Sequence, residues 1–274
     1  MVSGKDSKTS DELGNLRILH GDRANFKDFP FIVQFMQKNG DKTRICTGSL
    51  ITSSHIITAA HCFRKSIGEN YPLESIKAYY GSDRSAFYNK DIIPHNLSKV
   101  IFFDKGKEEV DIAVVILEKK VDDPRIIPIS LYKEAITDDL DLTVAGFGTT
   151  SSTEIIPSSF LKKVKVNLSS SSNCKKFEPS WTNNNGILIC SEPKENKDAC
   201  EGDSGGPLVI LVDDPNNKNK KIYALVGTVS FGLSKKGPAF GQCGKDTVSY
   251  YINANSALKS FIKIFNQIGK REAR

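Results

Sequence analysis

The chain has 274 residues, 39% hydrophobic, 26% charged and 9% aromatic, so it can bury a core and is not a low-complexity sequence. Its net charge of +6 comes from 38 basic and 32 acidic side chains that are interspersed, and no aromatic-interleaved basic stripe marks a nucleic-acid binder. No apolar run approaches the ~18 residues of a membrane-spanning helix, so neither nucleic acid nor membrane is an expected partner.

In chain order, Met1 to Leu16 is rich in Ser, Lys and Asp and has too little apolar surface to fold, so it reads as disordered. Met1 to Asn15 also lacks the apolar stretch of a signal peptide, and Met1 is read as standing where a signal was removed. Arg17-Ile18-Leu19-His20-Gly21 follows, a basic residue before an apolar pair, which is a processing-site pattern. Phe29 to Phe35 predicts a strand. Ile45 to Ile51 and Ile56 to Ala60, separated by a Thr-Ser-Ser-His turn, predict a hairpin. Of four histidines, His20, His55 and His95 read as structural or solvated. His61 differs because it follows Thr58-Ala59-Ala60 and precedes Cys62, which can pin its backbone, although a lone histidine in such a place is usually a satisfied core residue. Ile76 to Gly81 and Ser98 to Phe102 predict strands. Val110-Asp111 then heads the apolar run Ile112 to Leu117. A carboxylate at the edge of a core must find donors; it either caps the strand or meets a group such as a histidine N–H.

Asp122-Asp123-Pro124 and Ile127 to Leu131 read as the crossing into a second half. That half contains strands at Leu142 to Thr149, Leu161 to Leu168, Ile187 to Cys190 and Lys221 to Gly232, the second with half-buried alternation. The clusters Lys218 to Lys221 and Lys235-Lys236 read as solvated loops. Leu258, Phe261, Ile262, Phe265 and Ile268 recur at helical spacing, predicting a helix over 253–268. Cys200-Glu201-Gly202-Asp203-Ser204-Gly205-Gly206-Pro207-Leu208 precedes another apolar run. Ser204 lies among three glycines, which tolerate unusual backbone angles and let a carbonyl approach bare backbone. The amides of Gly202 and Ser204 could converge where an oxyanion develops; the alternative is a glycine-rich turn before a buried strand. Six cysteines with no Cys-x-x-Cys pair favour disulfides in an oxidising compartment over zinc or redox chemistry, and leave the pairing open. Asn96-Leu97-Ser98 and Asn167-Leu168-Ser169 are glycosylation sequons.

Together, Thr58-Ala59-Ala60-His61-Cys62, the Asp111 segment and Cys200 to Leu208 closely resemble the three motifs of the chymotrypsin-like (trypsin-like) serine proteases, and the resemblance runs from Ile18 to about Gly269. It implies an all-β fold of two antiparallel Greek-key β-barrels (about 18–131 and 132–252) with a C-terminal α-helix, preceded by a leader or activation peptide, 1–17. It implies that His61 is the base, Asp111 orients it, Ser204 is the nucleophile, and the Gly202 and Ser204 amides form the oxyanion hole. An apparent pKa near the ordinary histidine value of ~6.5 is then expected in the rate profile. The resemblance pairs Cys46 with Cys62, Cys174 with Cys190 and Cys200 with Cys243. Cleavage after Arg17 would free the α-amino group of Ile18 to pair with Asp203. Asp198 falls at the base of the primary pocket, where an aspartate selects Arg or Lys, with Ser230 and Gly232 on one wall. The opposite wall is Ser249 if Tyr251 is aligned with the family's tyrosine, and Val248 if the alignment slides by one.

The expectation is therefore a secreted, monomeric serine endopeptidase acting on protein or peptide substrates, with an activating protease and protein protease inhibitors as partners. No cofactor and no metal are expected; Ser82 to Ala86 lacks the acidic set with which some relatives bind calcium. The rival reading is a catalytically silent homologue serving as a binding module, which would be expected to have lost one of His61, Asp111 and Ser204.

Overall fold

The structure is a computed structural model that describes residues 21–40, 42–104, 109–149, 156–193, 197–237, 243–244 and 246–259. Arg17, Ile18 and the leader lie outside the described residues. So does the predicted helix beyond residue 259; Asn253, its expected first residue, ends a strand, and residues 254–259 are helical.

The described residues form two large β-sheets, each with six main strands, and a separate two-stranded sheet of Arg64–Ser66 and Glu69–Asn70. The first comprises β1 (Ile32–Asn39), β2 (Lys42–Leu50), β3 (His55–Thr58), β4 (Ile76–Tyr80), β5 (Leu97–Phe102) and β6 (Ala113–Leu117), in the order β4-β1-β2-β3-β6-β5. Paired bonds between Ala78 and His95 (3.0 and 2.8 Å) join the two outer strands and close the sheet on itself. The second comprises β7 (Leu142–Gly146), β8 (Lys162–Val166), β9 (Leu188–Ser191), β10 (Pro207–Asp214), β11 (Asn217–Ser234) and β12 (Thr247–Asn253), in the order β8-β7-β10-β11-β12-β9. A bridge between Leu168 and Ser191 closes this one. Numbered within each sheet, both barrels pair first with second, second with third, third with sixth, sixth with fifth, fifth with fourth and fourth with first. The same Greek-key wiring thus occurs twice. Closure removes the open edges that would otherwise invite association.

Two short strands tie the halves together. Asp22–Arg23 pairs antiparallel with β8, and Ser130–Leu131 pairs parallel with β11, so the crossing segment and the start of the described chain are stitched to the second barrel. The larger core cluster also crosses the boundary: Phe29, Phe31 and Leu50 of the first half pack with Ala145, Phe147 and Leu225 of the second. A shared core of this kind keeps the groove between barrels rigid.

Three features differ from the sequence expectation. Lys218 to Lys221 is not a loop but part of the exposed outer end of β11, where Asn217 pairs with Asp214 and Lys221 with Asp213 of β10 across a register irregularity. A short helix, Ser172–Phe177, had no periodic signal; Ser171 caps it by accepting from Asn173 N at 3.2 Å. The Phe29 to Phe35 segment begins its strand only at Ile32, because Ile32 N first closes a turn onto Phe29 O at 3.0 Å. Among the described residues no helix is long and apolar enough to cross a membrane.

Candidate active site

β3 runs into a single 3-10 turn, Ala60–Cys62, that carries His61. Ala59 and Ala60 are fully buried, and a larger side chain at either would collide with the core. The Cys46–Cys62 disulfide ties the turn to β2. Asp111, on the approach to β6, receives His61 N on Oδ1 at 2.9 Å, while His61 Nδ1 lies 2.9 Å from Oδ2. From the other barrel, Ser230 of β11 donates its hydroxyl to Oδ2. Burial alone would raise the Asp111 pKa, but the facing imidazole and these donors hold it below the usual carboxylate range. Burial would conversely lower His61, and the Asp111 charge and hydrogen bond outweigh it, so His61 titrates above its ordinary value. With Asp111 ionised, Nδ1 carries the proton and Nε2 is left as an acceptor.

The loop bearing Ser204 is held by both barrels. Thr47 N donates to Ser204 O (2.9 Å), Thr47 Oγ1 to Gly202 O (3.1 Å), and Gly205 N to Val229 O (2.8 Å). Gly202 (φ +91°) and Gly205 (φ +76°) occupy the left-handed region, and a Cβ on Gly205 would strike Thr58 Oγ1 and Thr47 O, so only glycine fits. The Gly202 and Ser204 amides donate to no acceptor among the described residues. Ser204 and His61 line one cleft of about 250 Å³, whose walls are Ala199 to Glu201 and Val229 to Gly232 and whose floor includes Ser249. An alcohol and an acceptor nitrogen that line one cleft, with two amides that donate to nothing among the described residues, can perform nucleophilic acyl transfer.

Two buried carboxylates lie behind this cleft. Asp203 is fully buried and accepts from Gly148 N at 2.8 Å and Cys200 N at 3.0 Å. Burial, with a smaller contribution from the nearby Asp198, pushes its pKa up to about 7. Asp198 is also fully buried, and burial pushes it up to about 6 against the donors that surround it. Gly232 pairs with Ser249 across the strands, which turns Ser249 into the cavity and Val248 into a cluster with Cys174 and Trp181. Among the described residues Ser249 therefore lines the cavity and Val248 does not.

The disulfides are Cys46–Cys62, Cys174–Cys190 and Cys200–Cys243, the pairs implied by the resemblance. Cys46, His61 and Cys62 cluster closely enough to suggest a metal site, but their sulfurs are bonded to each other and offer no thiolate. Sequence reasoning placed Ser230 only on the pocket wall and missed its bond to Asp111; it also missed Thr247, whose hydroxyl donates to Asp198 at 2.8 Å. Neither contact has a local signal, since the partners are 119 and 49 residues apart. The buried Arg64, clamped by Asp104 at 2.6 and 2.7 Å and Glu109 at 2.9 Å, holds both ends of the segment leading to Asp111 and was likewise missed.

Comparison with known proteins gives a consistent result. Residues 18–257 match the family model described as Trypsin. Hypodermin-B of Hypoderma lineatum is 30% identical over 225 residues, covering 82% of this chain and 80% of that protein. Serine protease ea of Drosophila melanogaster is 29% identical over 262 residues (83% of this chain, 64% of that protein). The proclotting enzyme of Tachypleus tridentatus is 30% identical over 240 residues (82% and 61%). The match spans less than two thirds of the length of the latter two relatives.

Proposed function

Because the chain belongs to the trypsin family of serine proteases, we propose that it is a serine endopeptidase that works through an acyl-enzyme, is activated by cleavage after Arg17, and cuts after basic residues. The observation that carries this reading is the convergence of His61, Asp111 and Ser204: the imidazole is oriented by the carboxylate, and imidazole and hydroxyl line one cleft. His61 Nε2 takes the Ser204 proton as Oγ attacks the substrate carbonyl carbon. The tetrahedral oxyanion rests on the Gly202 and Ser204 amides. The imidazolium then protonates the departing amine as the C–N bond breaks, and water repeats the sequence to release the acid. Asp111 stays ionised throughout and stabilises the imidazolium.

Activation follows from Asp203. A fully buried carboxylate met by two amides is poised for a cation, and a freed Ile18 α-amino group would supply one. Asp198 behind the cavity floor supports selection of basic side chains. Three disulfides and two sequons whose asparagines are exposed support an extracellular site of action. The protein acts as a monomer on protein or peptide substrates, with an activating protease upstream and protein protease inhibitors as antagonists.

A fluorophosphonate probe tests the chemistry. After cleavage following Arg17, the adduct should map to Ser204 by mass spectrometry, and Ser204→Ala and His61→Ala should each lose label and turnover. A double variant should be little worse, since the two groups act as a unit. Undiminished turnover by Ser204→Ala would end this reading.

A further inference from the structure

The carboxylate expected to meet a basic substrate side chain is already occupied. Asp198 Oδ1 accepts from Ala199 N at 2.9 Å and from Ser249 Oγ at 3.0 Å. Oδ2 accepts from Ser249 Oγ at 2.8 Å, Thr247 Oγ1 at 2.8 Å and Gly244 N at 3.2 Å. Four groups thus fill a coordination shell that has about four acceptor positions. Ser249 borders the cavity, whereas Asp198 does not reach it and has no exposed surface. The Ser249 hydroxyl therefore stands between an incoming side chain and the buried charge, in contact with both carboxylate oxygens.

The two natural basic side chains respond differently to such a cover. A guanidinium is a planar fork that recognises carboxylate by two parallel bonds, and it needs both oxygens from one side. Here it would have to push Ser249 Oγ off both oxygens, and the added Cβ and Oγ of Ser249 shorten the pocket for the longer side chain. An ammonium is a compact point donor with three rotatable N–H bonds. It can donate to a lone pair of Ser249 Oγ while that hydroxyl goes on donating to Asp198, so the charge is felt through one intervening group and no bond is lost. Ala199, beside the carboxylate, adds no side-chain acceptor for either cation.

We propose that Ser249 is a specificity-determining residue that makes this pocket select lysine over arginine, by covering Asp198 and relaying its charge through a single hydroxyl. The inference rests on the reading of Asp198 as the partner of a basic substrate side chain. Thr247 is a positioning residue in this arrangement: its buried hydroxyl shares its one proton between Asp198 Oδ2 at 2.8 Å and Gly244 O at 2.6 Å, and so ties the carboxylate to the backbone at Gly244.

The test compares two fluorogenic tetrapeptide amides that differ only in Lys or Arg at the cleaved position, using the full chain after cleavage following Arg17. The quantity is the ratio of kcat/KM for Lys over Arg, which is independent of the fraction of correctly folded enzyme. The parent ratio should be about tenfold or more, the scale of discrimination by one fitted group in a pocket. Ser249→Gly uncovers both carboxylate oxygens and should lower the ratio by about tenfold, chiefly by raising the rate on Arg. A parent ratio near one, or a ratio unmoved by Ser249→Gly, overturns the inference while leaving the protease reading intact. Efficient cleavage only after uncharged residues overturns both the inference and the basic-residue reading beneath it.

Discussion

The fully buried Asp203 makes the uncut chain's stability depend on pH in a way that one substitution isolates. Its pKa in the folded protein is about 7, against an ordinary value of ~3.9 in an unfolded chain. A carboxyl group with a raised folded pKa binds its proton more tightly when folded, so its stability contribution is fully present below about pH 4 and is lost as pH rises through about 7. At ~1.4 kcal/mol per unit, the loss reaches about 4 kcal/mol at pH 8 and only about 1.5 kcal/mol at pH 5, a difference of about 3 kcal/mol between the two. Asp203→Asn removes this charge. The amide can still accept from Gly148 N, but it turns an N–H toward the Cys200 amide that now donates to Oδ2. That mismatch costs about 1–3 kcal/mol at every pH, so the pH dependence and not the absolute stability carries the test. Urea unfolding at pH 5 and pH 8 would be measured on the uncut chain carrying Ser204→Ala to prevent self-cleavage, with and without Asp203→Asn. The parent should lose about 3 kcal/mol more than the variant between these pH values. Cleavage after Arg17 should then abolish most of the difference, because the new α-amino group gives the carboxylate a cation. Equal pH dependence in the two uncut proteins would refute the reasoning.

The acid limb of the kcat/KM profile should lie above ~6.5, because Asp111 raises His61 against the effect of burial. Asp111→Asn should move that limb downward while turnover collapses; a parent limb at or below ~6.5 would contradict the geometry. Asp104→Ala should destabilise the protein by about 3 kcal/mol, since it strips the bidentate partner from Arg64, which is only 2% exposed. An unchanged thermal midpoint would show that Glu109 and the Phe102 ring suffice to hold the guanidinium. Expression in a secreting eukaryotic cell should add glycans at the exposed Asn96 and Asn167, each lost in the corresponding Asn→Gln variant by intact mass. An unmodified mass would count against a secretory route.

Much was legible in the sequence because it is local. The alternation in Lys162–Val166 announces a strand with one face in a core, and its buried positions are the alternate ones, Lys162, Val164 and Val166. The glycines around Ser204 announce a backbone that only they can adopt, and Gly202 and Gly205 do so. Such signals depend on a few adjacent residues and survive without knowledge of the fold. The choice between Ser249 and Val248 does not, because a one-residue slip exchanges the two faces of a strand and both alignments leave a plausible local pattern. Pairing of Gly232 with Ser249 is what turns Ser249, and not Val248, toward the cavity. The same holds for the hydroxyls of Ser230 and Thr247, which reach Asp111 and Asp198 across 119 and 49 residues. The lysines of 218–221 look like a loop because every side chain is solvated, yet they lie in a strand that Asn217 and Lys221 pair onto its neighbour; exposure governs composition, whereas pairing is set by the neighbouring strand. What the chain determines by itself is therefore period, turn and the chemistry of single motifs. Which hydroxyl meets which carboxylate is decided only when the two barrels close and register fixes the faces, because those partners share no segment of chain and meet only through the packing of the whole.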